Sequence, residues 1–243
     1  MPGHIFIRSL TPAFSSEADM DVEQLAADIK HHLSVLPNLR TPTVRVLRRF
    51  YTHKVKSATP AEMVRLALRL LDGPDIVRRF MAYELLANHK AALAALGKRD
   101  LERLGAGLDS WGAVDTFACY LAGRAWRARQ IGDRVIHGWA RSPDRWWRRA
   151  ALVCTVPLNS KAQGGTGDTK RTLAVCRLLI ADRDDLVVKA LSWALRELAK
   201  RDAASVREFI EEHRDRLAAR VVREVGNKLR TGLKNAKRSP KPA

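Results

Sequence analysis

A tryptophan and an aspartate stand four residues apart in the segment Asp-Ser-Trp-Gly-Ala-Val-Asp, residues 109–115. Because residues four apart share one face of a helix, the Trp111 indole and the Asp115 carboxylate are expected to point at the same object. A flat π surface beside a negative charge suits a small, planar, positively charged target. The pair therefore predicts a site for a cationic ligand.

The segment Arg-Trp-Trp-Arg-Arg, residues 145–149, supplies arginines next to aromatic residues. The planar fork of an arginine can bind two phosphate oxygens at once, which makes Arg149 the preferred phosphate ligand. Its neighbours Arg141, Arg145 and Arg148 remain open as alternatives.

A third segment, Val-Lys-Ala-Leu-Ser-Trp at residues 188–193, again joins a cation to an indole. Lys189 is a candidate phosphate contact, and Trp193 is a candidate second aromatic wall of the site. Core packing between two flanking leucines is the alternative for Trp193. Trp126 and Trp139 lie outside these segments and are predicted to be structural.

The chain that carries these segments is strongly basic. Its 243 residues include 44 Lys and Arg against 26 Asp and Glu, a net charge of +18. Such a balance favours a polyanionic partner, and nucleic acid is preferred over a membrane surface because no apolar run approaches the roughly 20 residues of a membrane span. Arg8 interrupts the apolar stretch near the amino terminus, which argues against export.

The cysteines and histidines offer no metal site. Cys119, Cys154 and Cys176 stand far apart without paired spacing, so neither a disulfide framework nor a zinc site is expected. The histidines show no ligand spacing either. The sequence therefore predicts a cytoplasmic protein without metal, whose cysteines are buried small hydrophobic residues.

Helical periodicity runs through nearly all of the chain after residue 19, and alternating strand patterns are scarce. The clearest helical stretches are residues 21–35, 61–71, 75–96, 113–130 and 186–200. The long irregular stretch 157–168, with three glycines, is expected to be a mobile loop.

A repeat appears when helices with a charged residue before a small apolar segment are aligned. Arg79, Asp115, Arg149 and Lys189 occupy that position at intervals of 36, 34 and 40 residues, and one further step back falls near Arg45. These intervals match the length of a two-helix hairpin, so the pattern indicates a helical solenoid in which every second helix lines a concave face. An ordinary helical bundle is the alternative.

The three segments, in this order and separation, resemble the AlkD-type DNA alkylation-repair glycosylases, which are built of HEAT-like helical repeats. The resemblance spans about residues 108–200. It implies an all-α, HEAT-like helical-repeat solenoid with a concave basic face for duplex DNA. It further implies hydrolysis of the N-glycosidic bond of cationic N3- or N7-alkylated purines, with the damaged base largely stacked and no metal or organic cofactor.

Site roles follow position by position from the resemblance. Asp115 resembles the catalytic carboxylate, Trp111 and Trp193 the aromatic walls, and Arg149 the residue that holds the backbone near the lesion. The first predicted helix lacks an aromatic residue toward DNA, and Tyr51 is a possible substitute. The full predicted DNA-binding set is Arg45, Arg79, Arg145, Arg148, Arg149 and Lys189.

The predicted organisation is an amino-terminal extension at 1–18, one glycosylase domain at 19–230, and a basic, disordered tail at 231–243. The protein is expected to act as a monomer on double-stranded DNA that contains alkylated purines. A noncatalytic solenoid that binds distorted or branched DNA is an alternative, as is a scaffold for an acidic protein partner.

Overall fold

The computed structural model describes residues 20–73 and 75–235, and within them every regular element is helical. The predicted all-α fold is confirmed. The predicted extension at 1–18 and residues 236–243 of the predicted tail lie outside the described residues, and so does Pro74. None of the described helices is long and apolar enough to cross a membrane.

The α-helices follow one another through the chain with short connections. Their bounds are α1 Val22–Ser34, α2 Thr41–Lys54, α3 Pro60–Leu70, α4 Ile76–Ala87, α5 Lys90–Ala95, α6 Lys98–Leu104, α7 Trp111–Phe117, α8 Gly123–Arg127, α9 Asp133–Ala140, α10 Arg145–Val153, α11 Val156–Asn159, α12 Thr169–Leu178, α13 Asp185–Leu198, α14 Ala203–Glu212 and α15 Ala219–Thr231. A π-helical turn, Ala118–Ala122, joins α7 to α8.

The helices form two layers, as a helical-repeat solenoid requires. In one layer α2 packs on α4, α4 on α7, α7 on α10, α10 on α13 and α13 on α15; we call this the inner layer. The other layer contains α1, α3, α5, α6, α9 and α12. The charged residues aligned in the repeat, Arg45, Arg79, Asp115, Arg149 and Lys189, all fall on inner-layer helices.

Side-chain caps fix where three of the inner helices, α4, α10 and α13, begin. The carboxylate of Asp75 accepts hydrogen bonds from Val77 N and Arg78 N at the start of α4. Asp144 caps α10, and Asp184 caps α13 in the same way. These bonds satisfy backbone N–H groups that have no partner within the helix, so each of these three helices has a defined first turn.

Two long helices predicted from periodicity are interrupted in the structure. The stretch 75–96 breaks after Ala87, because the His89 imidazole accepts a hydrogen bond from Ala92 N and starts α5. The stretch 113–130 contains the π-helical turn. A side chain at Gly123 would approach Ala118 O within 2.7 Å and Cys154 O within 2.8 Å, so this turn depends on glycine.

The predicted mobile loop at 157–168 is instead an anchored segment. It includes α11 and a short 3₁₀ turn, and Arg201 donates to Asn159 O and Gly165 O at 2.8 Å. Arg127 adds bonds to Pro157 O and Gln163 O. Backbone atoms lie within 2.6 Å of a Cβ placed on Gly165, so the chain passes here without room for a side chain.

The core is one continuous cluster along the described chain. Trp126 and Trp139 are buried in it, as predicted, and the Trp126 indole donates to Asp133 at 2.8 Å. The three cysteines are free and buried. Burial raises the pKa of Cys119 to about 12, which keeps this thiol protonated and unreactive.

Candidate functional site

A cleft of about 310 Å³ opens between the first turns of α2, α4 and α7. Its lining includes Thr41 from α2, Ile76 and Val77 from α4, and Trp111 and Asp115 from α7. Since these residues lie at or near the starts of their helices, three neighbouring inner helices present their amino-terminal ends to one place.

Trp111 is the most exposed large hydrophobic residue of the cleft, with 63% of its surface accessible. Leu39 and Ile76, at 53% and 48%, extend the apolar wall. An indole is normally buried because its transfer from water is favourable, so this exposure leaves a large apolar surface for a ligand.

Asp115 lines the same cleft, and its carboxylate is bound by an arginine from the next inner helix. Arg149 Nε donates to Asp115 Oδ1 at 2.9 Å and Nη2 donates to Oδ2 at 2.8 Å. The third guanidinium nitrogen donates to Leu186 O at 2.6 Å, in the first turn of α13. The side chains are 18% exposed for Asp115 and 7% for Arg149.

Burial raises the pKa of the Asp115 carboxyl above its ordinary value, because the charged form loses hydration in the cleft wall. The hydrogen bonds and the charge of Arg149 act in the opposite direction. The carboxylate is thus held in one orientation but remains a better proton acceptor than an aspartate on the surface.

Within the described residues no cluster of histidine, cysteine, aspartate and glutamate has the arrangement of a metal site. The cleft lining contains one carboxylate, that of Asp115, together with the Trp111 indole and the side chains of Thr41 and Thr116. The carboxylate and the indole together suit a cationic, planar ligand.

A profile of the DNA alkylation repair enzymes matches residues 17–229. The chain belongs to the DNA alkylation repair enzyme family. No curated protein shows significant similarity to it. Membership of this family implies that DNA is the substrate and that the protein has a role in repair. The matched range covers the cleft and all of the inner layer except the last two residues of α15.

In this repair protein the predicted second aromatic wall, Trp193, is not among the residues that line the cleft. It is half-buried and packs partly against the core from α13. Trp193 lies seven residues after Leu186, which is about 10 Å along the helix axis. Leu186 is the residue whose carbonyl accepts a hydrogen bond from Arg149. The direct contact of Trp193 with a damaged nucleotide stays a prediction.

Arg79 lies in the interior of the protein and not on an open face. It is 8% exposed, and its guanidinium donates to Tyr83 Oη and Ala106 O at 3.1 Å and to Gly107 O at 3.3 Å. These bonds hold the connection between α6 and α7 that precedes Trp111. The structure therefore supports a positioning role for Arg79, and its surroundings argue against the predicted phosphate contact.

The other predicted cations differ in how far they are engaged. Arg148 binds Asp182 at 2.8 Å and the carbonyls of the α9–α10 connection, so most of its donors are used within the protein. Arg145 stacks on Trp146 and lies 3.5 Å from Asp184. Lys189 pairs with Asp185 across one helical turn and is 43% exposed. Arg145 and Lys189 keep the accessibility that a phosphate contact needs.

Tyr51, the possible substitute for the missing aromatic residue of the first unit, is buried at 1% exposure. Its hydroxyl lies 2.6 Å from His32 Nδ1, inside the first hairpin. It cannot reach DNA without unfolding that hairpin.

The apolar part of the cleft lining formed by Leu39, Ile76 and Phe80 was not predicted from the sequence. Phe80 directly follows Arg79 in the repeat alignment. This aromatic residue was the available sequence signal for this part of the lining. One residue along a helix turns the side chain by about 100°, so Phe80 points in a different direction from Arg79.

Proposed function

We propose that the protein is a monofunctional DNA glycosylase that removes cationic N3- or N7-alkylated purines from duplex DNA and leaves an abasic site. The supporting observation is that the Asp115 carboxylate, partly buried and oriented by Arg149, lines one cleft with the exposed indole of Trp111. The lining contains no lysine that would form a Schiff base, so strand cleavage is not part of the proposal.

The reaction needs stabilisation of positive charge more than it needs a strong acid. Alkylation at N3 or N7 already makes the purine a cationic leaving group. When the bond between C1′ and the base breaks, its electron pair leaves with the base, which becomes neutral, and positive charge develops on the deoxyribose. A carboxylate about 4 Å away stabilises that charge by up to roughly 4 kcal/mol at an effective dielectric constant near 20.

Water then adds to C1′ and completes hydrolysis. Asp115 orients this water and accepts its proton, for which the raised pKa of the carboxyl is favourable. Each carboxylate oxygen already accepts one hydrogen bond from Arg149, and each retains acceptor capacity for water or the sugar. No metal or organic cofactor enters the scheme.

Arg149 has a double effect in this scheme. Its charge compensates part of the charge of Asp115 and so lowers the stabilisation available to the sugar. Its paired hydrogen bonds fix the plane of the carboxylate, which avoids reorganisation during the reaction. We assign Arg149 to orienting Asp115. It is 6% exposed and all three of its guanidinium nitrogens donate within the protein, so the phosphate contact that the family resemblance implies is assigned to the more accessible Arg145 and Lys189.

Trp111 contributes binding of the cationic nucleotide. A cation over an indole face gains about 0.5 to 2 kcal/mol, more as water is excluded. As the family resemblance implies, the damaged base is proposed to stay largely stacked in the duplex instead of entering a deep pocket.

The test is release of free base from a duplex that contains 7-methylguanine, followed by chromatography against the spontaneous rate. Asp115→Asn should lower single-turnover release about 100-fold or more and leave DNA affinity within about threefold. Asp109→Asn, an exposed aspartate in the preceding connection, is the matched control and should release base at the wild-type rate. No release above the spontaneous rate for several alkyl adducts would overturn the proposal in favour of a noncatalytic DNA binder.

A further inference from the structure

A second buried carboxylate, Glu84 on α4, lies among basic residues near the cleft. Glu84 is 4% exposed. Arg45 Nε and Nη2 donate to its Oε1 at 2.9 and 2.8 Å, and Arg48 Nε lies 3.2 Å from Oε2. Two arginines of α2 thus share one carboxylate, and the group keeps an excess positive charge.

Arg45 is tied to the helix that carries Asp115. Its Nη2 donates to the hydroxyl of Tyr120 at 3.0 Å, and Tyr120 belongs to the π-helical turn that continues α7. The Arg45 guanidinium also lies 5.7 Å above the ring of Phe80, a wall of the cleft. Contacts with Glu84, Tyr120 and Phe80 therefore fix the distance between Arg45 and the cleft.

One part of this arginine pair is left for an outside anion. The Arg45 side chain is 39% exposed, and none of the described residues accepts a hydrogen bond from its Nη1. The Arg48 side chain is only 14% exposed, its buried Nε faces Glu84 Oε2 at 3.2 Å, and its Nη1 donates to Thr52 Oγ1 at 3.4 Å. The accessible free donor is therefore Arg45 Nη1, and a phosphate oxygen is the acceptor that DNA supplies.

We propose that Glu84 is a positioning residue for DNA binding: together with Arg48 behind it, it holds Arg45 as a phosphate contact beside the cleft, and Tyr120 fixes that contact to the Asp115 helix. The inference rests on DNA being the substrate but not on Asp115 being catalytic. It gives a negatively charged residue a favourable role in binding a polyanion.

The direction in which DNA affinity changes when Glu84 is neutralised makes the proposal testable. If Glu84 acted only as a charge, Glu84→Gln would remove repulsion toward phosphate and strengthen DNA binding. If Glu84 positions the arginines, Glu84→Gln weakens binding of an undamaged, fluorescently labelled duplex about tenfold, as expected for one lost charge-assisted contact. The slope of log affinity against log salt then falls by about one.

Full-length variants are compared with Glu208→Gln, an exposed glutamate of α14 that reports the effect of charge alone. Tyr120→Phe removes only the hydroxyl that accepts a hydrogen bond from Arg45, so it should also weaken DNA binding. It serves as the second variant, with the fold intact, if Glu84→Gln is unstable. In an Arg45→Met, Arg48→Met background, Glu84→Gln should have no further effect on affinity.

Tighter or unchanged DNA binding by both Glu84→Gln and Tyr120→Phe, with wild-type thermal unfolding, would overturn the proposal. A protein that binds DNA as expected but releases no base would instead overturn the glycosylase assignment. The two failures are thus distinguishable.

Discussion

Arg149 binds both carboxylate oxygens of Asp115, at 2.9 and 2.8 Å, across the boundary between two neighbouring inner helices. The pair is mostly buried, with side-chain exposures of 7% and 18%. A bidentate pair in such a place is geometrically specific, and removal of either partner leaves the other charge without compensation.

Replacement of Arg149 by methionine should therefore affect stability and chemistry together. The uncompensated carboxylate should lower the free energy of unfolding by on the order of 3 kcal/mol, as measured by urea denaturation. The double variant with Asp115→Asn should recover part of that loss, because no buried charge remains. Equal and additive losses in the two single variants would contradict the coupling.

The rate of base release should fall at low pH, and the midpoint of this acid limb should lie above the ordinary pKa of an aspartate. Burial raises the pKa of Asp115, and the ionised form is the active one, so activity falls as pH drops through this raised value. The rate of spontaneous depurination is subtracted at each pH.

In Arg149→Met the acid limb should move to still higher pH, because the hydrogen bonds and charge that favour the ionised carboxyl are removed. A shift to lower pH would mean that another group controls the limb.

The same raised pKa of Asp115 favours the protonated carboxyl in the folded state. Its contribution to stability is thus present at low pH and is lost as pH rises through the folded pKa.

Trp111→Ala should leave the fold intact, since the indole is 63% exposed, with unfolding free energy changed by less than about 0.5 kcal/mol. Release of 7-methylguanine at subsaturating protein should fall about threefold to thirtyfold, the range of a lost cation–π contact. Trp111→Phe should retain an intermediate rate. An equal loss of affinity for a duplex that contains a neutral altered base, such as hypoxanthine, would show that charge recognition is not the role of the indole.

Gly165→Ala should destabilise the protein by about 1 to 3 kcal/mol, because its Cβ would lie 2.6 Å from backbone atoms of the preceding short helix. Gly138→Ala is the matched control, since a Cβ at this position inside α9 would meet no atom within 4 Å. That control should be neutral or stabilising by up to about 1 kcal/mol. Thermal unfolding of the two variants gives the comparison.

The layered helical fold and the neighbourhood of Trp111 and Asp115 were predictable from spacing alone. The interval of 34 residues also placed Asp115 and Arg149 at corresponding positions of successive inner helices, but their ion pair was not predicted, because Arg149 was assigned to a DNA phosphate. The direction of Arg79 was not predictable. It depends on how α4 rotates when Tyr83 and the carbonyls of the α6–α7 connection pack around it, and these contacts join residues more than 20 positions apart.

The hydrogen bond from Arg149 to the carbonyl of Leu186 adds a third helix to the carboxylate's support. A single side chain therefore spans α7, α10 and α13, and the direction of Asp115 depends on the angle at which these helices meet. A rearrangement of these three helices would therefore also turn the carboxylate, so this bond couples the packing of the inner layer to the direction of the acid.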